Sequence, residues 1–213
     1  MMITVLLADD HTVVRDGLRV LLEGQDEIRV VGLASDGREA VQMTLDLCPS
    51  VVLMDIAMPG LNGIEATHQI REICPDSHIV ILSMYATSEY IYRALQAGAL
   101  GYLLKESAGS EVVDAIRAVS AGKMYISRKI QTKLGKNIND QKKSPLERLS
   151  RREREVLQLT VEGKTSMQIG DILSLSPKSV DTYRSRIMKK LDIHDTPALV
   201  KFAIQHGLTA LEN

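Results

Sequence analysis

The sequence predicts a doubly wound parallel α/β sheet of five strands, followed by a small all-α unit built on a helix-turn-helix. Three observations carry that prediction. Over the first 121 residues, short β-type apolar runs alternate with segments of helical periodicity, the pattern of a parallel sheet covered by helices on both faces. Four of those runs end on a polar or charged residue, as strands do when their carboxyl ends meet at a ligand-binding rim. Beyond residue 144 the strand signal stops, and only capped helical segments follow.

Taken in order, Ile3-Thr4-Val5-Leu6-Leu7-Ala8 is the first run and stops at Asp9-Asp10. Val14, Leu18, Leu21 and Leu22 then recur at helical spacing until Gly24 closes the segment. Residues 28–33 read as the second strand, and Asp36 with Glu39 three residues later caps a helix reaching about Leu47. Val51-Val52-Leu53-Met54-Asp55 is the third and most apolar run, ended by the carboxylate and the Pro59-Gly60 turn. Asn62 with Glu65 repeats the cap for a helix to about Ile73. Residues 79–82 lead to Ser83, and Thr87 or Ser88 opens a helix that stops at Gly98, a favoured residue for a left-handed helix end. Gly101-Tyr102-Leu103-Leu104 leads to Lys105, and Val112, Val113, Ile116 and Val119 mark a fifth helix ending at Gly122.

From residue 123 to residue 143 the apolar spacing decays, and residues 136–145 are polar and charged with no core face, so residues 122–144 are expected to be a linker. Ser150 and Glu153 form a capping box for a helix ended by Gly163, and Thr165 with Gln168 forms another for a short helix to about Leu173. Ser174-Leu175 turns the chain. Ser176 then caps a helix with Pro177 in its first turn, running to about Leu191, and Thr196-Pro197 caps a last helix ending at Gly207. The expected partition is 1–121, 122–144 and 145–213.

Charge follows the same partition. Residues 1–121 carry 8 Lys+Arg against 17 Asp+Glu, a net of −9, whereas residues 122–213 carry 18 against 10, a net of +8. An acidic module suited to cations thus precedes a basic one suited to a polyanion. Cys48 and Cys74 are too few for a disulfide framework and are expected to be small buried apolar side chains. No stretch approaches the ~20 apolar residues of a membrane span, and the first apolar run meets two aspartates after six residues, so a cytoplasmic location is expected.

Asp9, Asp10, Asp55, Ser83 and Lys105 all stand at strand ends and are expected to converge on one rim. Carboxylates so close need a counter-ion, which makes the rim a site for a divalent cation and a phosphoryl group. A carboxylate attacking phosphorus forms an acyl phosphate, a step that requires Mg2+ and donors on the phosphoryl oxygens. The three aspartates offer oxygen ligands to Mg2+, Lys105 can hold one phosphoryl oxygen, and Ser83 can donate to another.

The paired acids, the Asp55-x-x-Met58-Pro59-Gly60 loop, the Ser ending the fourth run and the Lys ending the fifth resemble the receiver domain of two-component response regulators, a flavodoxin-like fold. The resemblance covers residues 3 to about 121. It implies that Asp55 is the phosphoacceptor, Asp10 the direct metal ligand and Asp9 the second acid, that the Ala57 backbone carbonyl completes the metal shell, and that Tyr102 is the aromatic switch residue. It departs from the pattern at Glu106, where many receivers have proline after the lysine, and at Met84, where a small residue often follows the serine. Aspartate-nucleophile phosphatases share the sheet type and metal but carry a second aspartate two residues after the nucleophile. That position is Ala57 here, so turnover on an external phosphoester lacks its general acid, and a stored signal is expected instead.

In the segment from Ser176 to Leu191, Val180, Tyr183, Ile187 and Leu191 share one helical stripe. Lys178, Thr182, Ser185 and Lys189 lie opposite, flanked by Arg186, a face suited to the major groove of double-stranded DNA. Leu149-Ser150-Arg151-Arg152-Glu153-Arg154-Glu155-Val156-Leu157, Gly163, Ser176-Pro177-Lys178-Ser179-Val180 and Lys189-Lys190-Leu191 are similar to the LuxR-type helix-turn-helix of NarL/FixJ-type regulators. Asp181 and Arg184 depart from that pattern; Asp181 either reads a cytosine amino group or sits off the groove. The combined resemblance implies a transcriptional regulator phosphorylated by a sensor histidine kinase and dimeric when phosphorylated. The alternative within the same fold is a regulator whose DNA binding ignores phosphorylation.

Overall fold

The computed structural model of the chain describes residues 2–134 and 144–209. They belong to two compact units, residues 1–141 and 142–213. Residues 135–143, the most polar part of the expected linker, lie outside the described residues.

The first unit runs β1 (Ile3–Ala8), α1 (Thr12–Glu23), β2 (Ile28–Ala34), α2 (Gly37–Leu47), β3 (Val51–Asp55), α3 (Gly63–Ile73), β4 (His78–Ser83), α4 (Ser88–Gln96), β5 (Gly101–Leu104), a 3-10 turn (Lys105–Ser107), α5 (Ala108–Ser120), β6 (Tyr125–Ile126) and α6 (Arg128–Leu134). All neighbouring strands are parallel, in the order β2-β1-β3-β4-β5-β6. Alternation along the strands divides the core in two. Leu6, Val52, Met54, Ile79, Ile81 and Tyr102 pack with Ile64 and Ile70 of α3 and Ile91 of α4. Val5, Leu7, Val51, Leu53, Val80 and Leu82 pack with Leu18 and Leu22 of α1 and Val112, Ile116 and Val119 of α5. Because β3 is buried on both faces it reads as an unbroken apolar run. Truncating Leu53, 1% exposed, to Ala would cost about 2–5 kcal/mol.

The register places the strand ends together: Ala8 pairs with Met54, Asp55 with Leu82, and Ser83 with Leu104. The expected caps form as well. Asp36 accepts from the backbone N–H groups of Arg38 and Glu39, and Asn62 from those of Ile64 and Glu65.

Three expectations are corrected here. The sheet has a sixth strand, and both it and α6 fall in the stretch expected to be linker. A two-residue strand shows no periodicity, and β6 is held by backbone bonds from Tyr125 N to Leu100 O and from Ser127 N to Tyr102 O. The last helix is capped by Asp195, whose carboxylate accepts from Ala198 N, one residue before the expected Thr196. Finally, Cys48 is exposed and Cys74 half-buried, because both lie where helices end rather than in the core.

The second unit contains a 3-10 turn (Pro145–Arg148), α7 (Arg151–Val161), α8 (Ser166–Leu173), α9 (Pro177–Leu191) and α10 (Thr196–Gln205). Complete capping boxes open α7 and α8. Val156, Leu157, Leu159, Ile169, Leu173, Val180, Ile187, Leu199 and Ala203 form its core. The turn between α8 and α9 is tight because Gly170 has no side chain: a Cβ there would lie 2.6 Å from the carbonyl oxygen of Leu175.

Candidate functional site

The acidic rim forms at the carboxyl ends of β1, β3, β4 and β5. Asp55 and Asp9 are each only 2% exposed. Lys105 Nζ lies 2.8 Å from Asp55 Oδ2 and 2.8 Å from Asp9 Oδ2, bridging the two carboxylates. Asp9 Oδ2 is thus buried against the Lys105 ammonium, while Asp9 Oδ1 accepts from His11 N at 2.9 Å. Burial pushes the Asp55 carboxyl up to about 6 against the pull of Lys105, with Asp9 and Asp10 adding to the rise. Burial lowers the Lys105 ammonium, but the Asp55 and Asp9 carboxylates outweigh it and hold it above its ordinary value.

One ammonium cannot neutralise three carboxylates. Ligand atoms of Asp9, Asp10, His11 and Asp55 all lie within 4.8 Å of one another, the spacing of groups around a single cation. The donor set is mostly carboxylate oxygen, which fits a hard divalent ion such as Mg2+. His11 was missed by sequence reasoning. Its Nδ1 lies 2.7 Å from Asp10 Oδ1, and only the turn into α1 brings it there.

Gly63 was missed too. It starts α3 against the end of β3, where a Cβ would lie 1.9 Å from the Asp55 carbonyl oxygen. Its N–H donates to Ile56 O at 2.9 Å, so the glycine lets α3 clamp the strand end that presents Asp55.

Ser83 and Tyr102 meet through one residue. Ser83 Oγ accepts from Tyr85 N at 3.0 Å, and Tyr102 Oη donates to Tyr85 O at 2.7 Å. Both side chains are fully buried, and burial pushes the Tyr102 phenol up. Met84 points away, 71% exposed. Ala57 lies in the loop just past β3, two residues after Asp55.

In the second unit, Val180 and Ile187 are buried, with Tyr183 and Leu191 packed on the same core. Lys178, Thr182, Ser185, Arg186 and Lys189 are all exposed along the opposite side of α9. The two departures are joined in one hydrogen-bonded network. Ser166 Oγ donates to Asp181 Oδ1 at 2.6 Å, and Arg184 donates to Thr160 Oγ1, Ser166 Oγ and Lys164 O at 3.1, 2.8 and 2.7 Å. Together they bolt α9 to α8 and the end of α7.

A receiver-type acidic rim and a LuxR-type helix-turn-helix on one chain define a two-component response regulator. The chain belongs to that family: residues 5–117 match the response regulator receiver domain and residues 147–203 the luxR family of bacterial regulatory proteins. It is 42% identical to the transcriptional regulatory protein LiaR of Bacillus subtilis over 209 residues, covering 97% of this chain and 99% of LiaR. It is also 42% identical to the response regulator UvrY of Escherichia coli over 213 residues, covering 99% and 98%. Among solved structures, RcsB from Salmonella enterica serovar Typhimurium, bound to the promoter P1flhDC in the presence of the phosphomimetic BeF3-, shares 27% identity with a TM-score of 0.65, covering 95% of this chain and 98% of that one. Like those relatives, the protein is a two-component transcriptional regulator. Among the described residues no helix is long and apolar enough to cross a membrane.

Proposed function

We propose that Asp55 is the phosphoacceptor, and that its acyl phosphate controls DNA binding by residues 145–213. One observation carries the reading: Lys105 bridges Asp55 and Asp9 on a rim where the ligand atoms of three carboxylates gather, a set of groups arranged for charge that arrives later. A carboxylate oxygen of Asp55 attacks the phosphorus of a sensor kinase's phosphohistidine. The O–P bond forms as the P–N bond breaks, and the electron pair leaves on the imidazole nitrogen, which takes up a proton. Asp9, Asp10, Asp55 and the Ala57 backbone carbonyl would hold Mg2+, which when bound neutralises charge on the phosphoryl oxygens. Lys105 transfers its ion pairing to one phosphoryl oxygen, and Ser83 donates to another.

Coupling to the rest of the receiver begins at Tyr85. When Ser83 Oγ turns to the phosphoryl group, Tyr85 N loses its acceptor, and the carbonyl that holds the Tyr102 hydroxyl shifts with it. Tyr102 then moves, and the surface of α4 and β5 with it, which favours a homodimer. In the second unit Lys178, Arg186 and Lys189 serve phosphates of double-stranded DNA, and Thr182 and Ser185 face bases. Asp181, bound by Ser166, sits off the groove. The protein acts in the cytoplasm, and the only turnover it supports is hydrolysis of its own acyl phosphate, since Ala57 leaves no general acid for an external ester.

Incubation with a small-molecule phosphodonor and Mg2+ tests the reading. The expected result is one phosphoryl group per chain, lost slowly. Continuous phosphate release without a stable adduct would make the protein a phosphatase instead.

A further inference from the structure

The two cysteines, 25 residues apart in the intervening chain, end α2 and α3 side by side. Cys48 is the left-handed C-cap of α2, at φ 43°, and its N–H donates to Thr44 O at 2.9 Å. Cys74 is the C-cap of α3, and its Sγ reaches that same Thr44 oxygen at 3.6 Å. The residues that follow stay paired: Ser77 Oγ donates to Pro49 O at 2.7 Å, and His78 N to Ser50 O at 3.1 Å. Burial, then the adjoining Cys48 thiol, push the Cys74 thiol up, so each sulfur lies within the other's electrostatic reach. Both cysteines precede the amino ends of β3 and β4, the rim opposite Asp55.

We propose that Cys48 and Cys74 are a reversible dithiol–disulfide pair that, when oxidised, ties the carboxyl ends of α2 and α3 together. Reduced thiols in a cytoplasmic protein that can close a bond on demand are redox-responsive rather than structural. A low-molecular-weight disulfide such as oxidised glutathione supplies the oxidising equivalents. The exposed Cys48 thiolate attacks one glutathione sulfur and releases one glutathione thiolate. The Cys74 thiolate then attacks Cys48 Sγ and releases the second. Two thiols of the protein lose two protons and two electrons, and one glutathione disulfide becomes two thiols, so the exchange balances. The bond would pin the α2–α3 face while leaving the phosphorylation rim in place.

The full-length protein is treated with oxidised glutathione, unfolded in N-ethylmaleimide, and weighed whole and after proteolysis. The expected product is a monomer lighter by two hydrogens that takes up no maleimide and yields one peptide pair linking Cys48 to Cys74. Dithiothreitol should restore two alkylatable thiols, and oxidation should raise the midpoint of thermal unfolding. In Cys74→Ser the reaction should stop at a glutathione adduct on Cys48. Three results overturn the proposal: two free thiols after treatment, a stable glutathione adduct on Cys48 of the wild type with Cys74 free, or a disulfide between two chains.

Discussion

Replacing Asp55 with Asn should stabilise the metal-free protein, because the wild type folds at the expense of burying a carboxylate beside two others. The folded carboxyl sits at about 6 against an ordinary 3.8. The unfolded chain therefore loses this proton first, and stability falls as pH rises from the ordinary value through the folded one. Once both states are ionised the penalty is about 3 kcal/mol. That figure already contains the pull of Lys105, which bonds Asp55 Oδ2 at 2.8 Å and holds the folded value lower than burial alone would. The gain is therefore about 3 kcal/mol, or roughly 6–12 °C in the midpoint of thermal unfolding for a chain of this size. Thermal unfolding in EDTA near pH 7.5 reads it directly. The gain should shrink toward zero below about pH 3, where both states of the wild type are protonated, and should shrink again in saturating Mg2+, which binds the wild-type carboxylate. An Asn variant that is less stable than wild type in EDTA, or a gain independent of pH, would refute the electrostatic account of the rim.

Further outcomes follow from the same structure. Gly63→Ala should cost more than about 2 kcal/mol, since a Cβ at 1.9 Å from the Asp55 carbonyl forces α3 off the strand end, and it should slow phosphorylation; urea unfolding and labelling rates check both. Arg184→Met removes three donated bonds and should destabilise the second unit by about 1–3 kcal/mol, visible as an earlier unfolding transition, together with weaker DNA binding. Lys178→Ala and Lys189→Ala should each weaken binding to all DNA sequences alike and lower the salt dependence by about one ion, measured by fluorescence anisotropy over a salt series.

The strand ends were legible because each couples a β-type run to a polar residue, and a parallel sheet brings every such end to one rim. That places Asp9, Asp55, Ser83 and Lys105 on the rim from the sequence alone, and the Lys105 bridge follows from the register of β3 with β4 and β4 with β5. The caps at Asp36, Asn62, Ser150 and Thr165 were legible too, since a cap bonds within three residues of itself, whereas the cap of α10 lay one residue before the one expected. Features made through space were not. Gly63 reads as an ordinary first-turn residue until β3 is laid against it, and His11 as a solvated side chain until α1 turns it to Asp10. Arg184 read only as a departure from the LuxR-type pattern, although Thr160, Ser166 and Lys164 O accept its hydrogen bonds. Cys48 and Cys74 looked unrelated because their neighbourhood comes from the packing of α2 on α3. β6 escaped because two residues carry no period.

The central claim is that one carboxylate, Asp55, accepts the phosphoryl group. Wild type and Asp55→Asn should be incubated side by side with a small phosphodonor and Mg2+, quenched in acid, and digested for peptide mass spectrometry. The account predicts one added phosphoryl group in the wild type, on the peptide containing Asp55 and on that residue, and none in the variant. A phosphoryl group of equal occupancy in the Asn variant, or one localised to Asp9 or Asp10 in the wild type, would contradict it.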